Sequence, residues 1–146
     1  LDRIGKAAFG RAVLAPIGHV LETCLYAHDL EAARRFYVDL LGLEVESERP
    51  GVFLFLRLER AMLLLFDPRA TARQRVPPAH GAVGPGHVCF AVPEAELDGW
   101  RARLEAAGVA IEHEQSWPRG GRSLYLRDPA GNSVELATPR IWGFPE

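Results

Sequence analysis

Cysteine is scarce in this 146-residue chain: Cys24 and Cys89 are the two present, too few for a disulfide framework. Both sit inside apolar runs where a thiol behaves as a small hydrophobe, so a reducing, cytoplasmic setting is expected. An excess of one charge is also missing. Seventeen Lys+Arg against 19 Asp+Glu leave a formal net charge of −2, with no overall positive field to draw in nucleic acid or anionic lipid. No apolar run approaches the roughly 18 to 20 residues that span a bilayer, because Met62–Phe66 is followed at once by Asp67-Pro68. Residues 1–15 form an N-terminal extension. Its Leu1–Leu14 carries Asp2, Arg3, Lys6 and Arg11 with no continuous apolar stretch, and without an initiator Met it reads as a trimmed or tag-derived start. What remains, 48% hydrophobic and 25% charged residues, is the composition of a globular domain able to build a core.

The order of elements occurs twice. Leu21, Thr23, Leu25 and Ala27 alternate with Glu22, Cys24 and Tyr26 as in a strand. Asp29 suits an N-cap, and Leu30, Ala33, Phe36, Tyr37, Leu40 and Leu41 recur at helical spacing until Gly42, predicting a helix over 30–41. Leu43–Glu48, Val52–Leu58 and Ala61–Phe66 then read as three strands, completing a βαβββ module over residues 16–67. Residues 68–85, with Pro68, Pro77, Pro78 and Pro85, read as a linker. A second βαβββ module is predicted over 86–140: strand His87–Val92, a helix with Leu97, Trp100, Leu104 and Ala107 on one stripe, and strands Val109–His113, Ser123–Arg127 and Ser133–Ala137. Residues 141–146 form a tail. Glu22 and His87 begin equivalent strands, with Gly42 and Gly108 following 20 and 21 residues later. A repeat of about 65 residues implies two equivalent units. The expected architecture is α+β, a cupped or half-barrel mixed sheet with helices outside.

One face of each strand is apolar enough to lie under a helix; the other carries ionisable groups. Glu22, His87 and Glu135 each begin or interrupt that second face, beside Cys24 and Cys89. Carboxylates in such a setting need a counter-charge, and a divalent cation supplies one. One imidazole and two carboxylates suit Zn, Mn, Ni, Co, Fe or Mg, and three protein donors leave coordination positions for substrate. The residues taken singly also allow plainer readings: Glu22 paired with Arg57 or Arg122, His87 as a hydrogen-bonded pocket histidine, Glu135 as a loop cap.

Several runs carry a family resemblance. Glu22-Thr-Cys-Leu-Tyr-Ala-His-Asp29-Leu30, with Phe36-Tyr37 and Leu41-Gly42-Leu43, resembles the opening of the vicinal oxygen chelate proteins, the glyoxalase/bleomycin-resistance/extradiol-dioxygenase superfamily. Gly86-His87-Val-Cys-Phe-Ala-Val is similar to that family's second ligand strand, and Tyr125-Leu-Arg-Asp128-Pro129-Ala-Gly131-Asn132-Ser-Val-Glu135 to its last hairpin. The resemblance covers about residues 16–140 and implies Glu22, His87 and Glu135 as metal ligands; His19 is offset from the ligand position. The family's fourth ligand strand is here Ala61–Phe66, which has no donor. One histidine with two carboxylates departs from the two-histidine, one-carboxylate set of the extradiol dioxygenases, leaving a glyoxalase-like lyase, isomerase or thiol transferase as the expected chemistry.

Strand parity nominates Ser123 and Tyr125 for the same cavity as Glu135, with Glu135, Glu22 and Tyr125 as catalytic candidates. Trp117, Arg119 and Arg122 flank them on a glycine-loosened loop suited to an anion. Phe53 and Phe55, or Leu54 and Leu56, supply an apolar wall, with Cys24 and Cys89 nearby. His28, His80 and His113 show no partners in the sequence. A small-molecule substrate and a homodimer are expected, the dimer using Ile141, Trp142 and Phe144. Against the enzyme stands a metal-free binding protein of the bleomycin-resistance type.

Overall fold

The structure, a computed structural model, describes residues 14–146; most of the N-terminal extension therefore lies outside the described residues. Strand β1 (Glu22–Tyr26) is followed by Asp29, whose carboxylate accepts from the Ala32 amide and so caps α1 (Leu30–Arg34). The helix does not run on in α geometry. Residues Arg35–Leu40 widen into a π-helical turn, in which the Leu41 amide reaches back five residues to the Phe36 carbonyl. Gly42, at φ +80°, then ends it. β2 (Glu44–Arg49), β3 (Phe53–Arg57) and β4 (Met62–Phe66) complete the first sheet, in the order β1-β4-β3-β2 with β1 parallel to β4.

A single turn, α2 (Pro68–Thr71), capped by Asp67, opens the connecting segment. The second sheet repeats the first: β5 (His87–Ala91), β6 (His113–Ser116), β7 (Arg122–Arg127) and β8 (Ser133–Ala137) lie in the order β5-β8-β7-β6, with β5 parallel to β8. Its helix α3 (Leu97–Ala106) buries Leu97 and Leu104. The second strand of this module, expected at 109–113, begins instead at His113. Val109 and Ile111 are drawn against the core as connecting chain, because their alternation with small residues imitates a strand without a neighbour to pair with.

Helices cover one face of each sheet. Leu25 from β1, Leu54 and Leu56 from β3, and Leu63 and Leu65 from β4 share one continuous core with Leu124, Leu126, Val134 and Leu136 of the second sheet. The two units are joined by a buried hydrogen bond from the Tyr37 hydroxyl to Asp128 Oδ2, 2.7 Å long, and by the Asn132 side-chain amide donating to the Tyr26 carbonyl. Asp128 also accepts from the backbone amides of Ala130 and Asn132, which holds the β7–β8 turn. The sheets remain separate, so β1 and β5 each end a sheet with one edge unpaired within the chain.

Candidate functional site

Strand register decides which side chains share the open face of each sheet. In the second unit, Cys89 of β5, Glu135 of β8, Tyr125 of β7 and His113 of β6 are aligned across the four strands. His87 and Ser133 form the neighbouring row, and Ala137 and Ser123 the row beyond Glu135. The corresponding rows of the first sheet are Glu22 with Met62 and Arg57, Cys24 with Leu64 and Phe55, and Tyr26 with Phe66 and Phe53. Phe53 and Phe55 therefore occupy the open face, while Leu54 and Leu56 are in the core.

His87 and Glu135 come together: His87 Nε2 lies 3.2 Å from Glu135 Oε2. The other ring nitrogen, Nδ1, lies 3.2 Å from the Ser133 carbonyl oxygen and 3.0 Å from its hydroxyl. In the tautomer whose Nδ1–H donates to the Ser133 carbonyl, the Nε2 lone pair is turned toward a carboxylate oxygen. Two acceptors at that separation repel unless a proton or a cation lies between them. Glu135 itself is only 6% exposed, and its Oε1 has no hydrogen-bond partner. An anionic oxygen buried without a donor is costly, and a cation relieves it. The donors present thus fit a hard or borderline divalent metal.

The neighbours of Glu135 feel the same charge. Burial, followed by the Glu135 carboxylate, pushes the Cys89 thiol up to about 12. Burial first, and then the adjacent Glu135 carboxylate, likewise raises the Tyr125 phenol. Both groups keep their protons at neutral pH, which makes Tyr125 a donor and Cys89 a poor nucleophile. Tyr125 is stacked on His87, with ring centroids 6.4 Å apart. Ser123 is fully buried, and its hydroxyl accepts from Trp117 Nε1 at 2.8 Å.

Other nominated residues lie elsewhere. Glu22 is exposed at the start of β1 in the other sheet, and among the described residues no group of three His, Cys, Asp or Glu gathers at one point. Neither arginine considered as its partner pairs with it: Arg57 binds Glu46 at 2.6 Å, and Arg122 binds Glu94 and Asp98 at 3.2 Å. Cys24 lies two residues along β1, its thiol raised by burial and then by Glu22. Arg122 alternates with Ser123 and Tyr125 and so projects from the opposite side of β7, where those acids engage it. Arg119 is on the exposed loop.

Besides His28, whose Nδ1 lies 3.7 Å from Asp67 Oδ1, two more histidines that show no partners in the sequence have them. His80, from the connecting segment, meets the Tyr26 hydroxyl at 2.6 Å and sets its ring edge-on to Phe66 at 5.0 Å. His113 meets Gln115 and tilts against Tyr125. The misplaced β6 concealed the second: a strand starting at His113 puts His113 and Gln115 on Tyr125's face.

The family model described as "Glyoxalase/Bleomycin resistance protein/Dioxygenase superfamily" matches residues 17–136. The chain is 33% identical over 118 residues to biphenyl-2,3-diol 1,2-dioxygenase 3 of Rhodococcus globerulus, covering 77% of this chain and 58% of that protein. It is 33% identical over 113 residues to the glutathione transferase FosA of Serratia marcescens, covering 77% and 74%. A crystal structure described as lactoylglutathione lyase from Agrobacterium tumefaciens superposes with a TM-score of 0.86 at 48% identity, covering 89% of this chain and all of that one.

Proposed function

We propose, from the premise that this chain belongs to the glyoxalase/bleomycin-resistance/dioxygenase superfamily, that it is a divalent-metal-dependent, glyoxalase-like enzyme acting on a small oxygen-chelating organic substrate, of lyase, isomerase or thiol-transferase type. The observation that carries this reading is the buried Glu135 carboxylate, with Oε1 unpartnered and Oε2 facing His87 Nε2. His87 and Glu135 would hold the metal, with Glu22 of the partner subunit as the third ligand. Support for that arrangement lies in the repeat. Glu22 and His87 begin the corresponding edge strands β1 and β5, each unpaired on one side, and Leu14, Ile17, Val20 and Leu21 are exposed beside β1. A homodimer joining one protomer's β1 to its partner's β5 would bring the three donors together.

A divalent metal held there would supply Lewis-acid stabilisation for negative charge developing on a substrate oxygen. The chain's own groups have separate tasks. Ser133 holds the His87 ring with Nε2 directed into the site. Tyr125, protonated beside Glu135, offers a hydrogen bond to a substrate oxygen gaining charge. Phe53, Phe55 and Phe66, in mutual contact, form the apolar wall for the substrate body. If the reaction is an isomerisation, whichever of Glu135 and Glu22 is released from the metal would accept the substrate proton.

Protein purified without chelator is expected to contain close to one divalent ion per chain by elemental mass spectrometry. Glu135→Ala should lose it while remaining folded by circular dichroism. A wild-type protein without metal that still binds hydrophobic electrophiles would instead establish the sequestration role.

A further inference from the structure

We infer that residues 74–85, which connect the two units, are a strap that opens as one piece while both sheets stay folded, and that His80 latches it over the first sheet's open face. The segment is tied at its ends. Before it, the Arg73 amide donates to the Ala70 carbonyl on α2; after it, the Gly86 amide donates to Asn132 Oδ1 at 2.7 Å and the Gly86 carbonyl accepts from the Ser133 amide at 2.9 Å. Between these points, and among the described residues, no backbone–backbone hydrogen bond involves residues 74–85. Gln74 Nε2 donates to the Pro78 carbonyl, a bond that stays within the segment. Val76 and Val83, its branched apolar residues, are exposed. A cavity of about 610 Å3 has Ala82, Val83 and Pro85 of the segment and Ala27, Pro68 and Ala130 of the body among its walls, so this half spans the body without packing down on it.

Among the described residues, a single side-chain hydrogen bond joins the strap to the sheet. His80 Nδ1 lies 2.6 Å from the Tyr26 hydroxyl, and the imidazole stands edge-on to Phe66 with ring centroids 5.0 Å apart. A tyrosine hydroxyl donates or accepts, so the bond serves either neutral tautomer of the ring. Tyr26 and Phe66 are register partners at the ends of β1 and β4, and Phe66 continues through Phe55 to Phe53 as a row of touching rings. His80 therefore covers one end of that row. Opening gives up this bond and the ring contacts while every strand pair is kept, which makes it a local event with its own equilibrium. Closed, the strap shields Phe66; open, it lengthens the exposed row. The effect on substrate rests on the proposed function, whereas the latch does not.

Limited trypsin digestion of the full chain, followed by mass spectrometry, would compare cleavage after Arg73 and Arg75, beside and within the strap, with cleavage after Arg119 in the exposed β6–β7 connection. Where reclosing outpaces cleavage, these rates follow the open population. Tyr26→Phe removes only the hydroxyl, and His80→Ala removes the ring. Each is expected to speed cleavage after Arg73 and Arg75 at least fivefold, with Arg119 cleavage and the urea midpoint unchanged. Hydroxyl-radical footprinting of Tyr26→Phe should oxidise Phe66 at least twofold faster, with the core residue Phe36 unchanged. Unaltered cleavage in either variant would overturn the latch. So would an equal rise at Arg119 or a fall in the urea midpoint, because the segment would then open only with the body. Faster cleavage with Phe66 unaltered would overturn the shielding. These readouts need no metal, so an empty metal site would sink the enzyme reading and leave the latch standing.

Discussion

Cys89 shows how one carboxylate governs its surroundings. Its residue is exposed, yet burial of the thiol and the adjacent Glu135 charge push its ionisation up to about 12. Exposure alone would forecast a reactive cysteine; the thiolate population decides otherwise. In chelator-treated protein at pH 8.5, Cys89 is expected to alkylate with iodoacetamide at least tenfold more slowly than free cysteine, measured by peptide mass spectrometry. Glu135→Gln removes the neighbouring negative charge, lowers the thiol's ionisation point, and should accelerate labelling several-fold. An unchanged rate would mean that burial acts alone. The nomination of Cys89 and Tyr125 was legible from strand parity, since residues two apart share a face. Their protonation was not, because it depends on how deeply Glu135 lies beneath them.

Among the elements, the β6–β7 connection and the first helix carry the geometry that local patterns could not supply. Gly121 has φ +86°, and a Cβ there would run into the Thr138 hydroxyl and lie 2.9 Å from Ile141 Cγ2. Left-handed backbone costs an L-residue about 1–2 kcal/mol before any clash, so Gly121→Ala should destabilise by at least about 2 kcal/mol. A melting temperature within one degree of wild type would contradict this. In the helix, apolar spacing announced a continuous element to residue 41, and Gly42 marked its end correctly. The π-helical turn was invisible, because it is set by where Phe36 and Tyr37 find room in the core. It brings the Tyr37 hydroxyl to Asp128, and burial beside that carboxylate raises the phenol's ionisation far above its usual range. Tyr37→Phe removes one donor from a buried carboxylate and should cost about 1–3 kcal/mol in chemical denaturation. The effect should survive high salt, since the bond is shielded from solvent.

For the molecule as a whole, the separation of Glu22 from His87 and Glu135 is the main consequence of the fold. Among the described residues the chain presents two open faces and four sheet edges, β1, β2, β5 and β6, while Trp142 and Phe144 of the tail are 71% and 67% exposed. A homodimer in sedimentation experiments is the expected state. If Glu22 acts across the subunits, Glu22→Ala and Glu135→Ala homodimers should each lose metal. A heterodimer of the two, isolated after co-refolding, should recover one intact site and hold about half the wild-type metal content. Recovery of none would place the third ligand within the chain or eliminate it. Among the described residues no helix is long and apolar enough to cross a membrane.

Periodicity and turn chemistry, which act over a few residues, were enough to reveal the duplicated βαβββ order, the alternation that separates Leu54 from Phe55, and the chemical types of Glu22, His87 and Glu135. Those signals report only what a strand or helix does with its own side chains. Whether His87 meets Glu135, why Glu22 stands apart, and how His113 comes against Tyr125 depend on register between separate strands. Arg122 turns from the site for a related reason: its parity on β7 directs it to acids on other elements. Each of these follows from pairing energies summed over whole sheets, and no short stretch of chain contains that information.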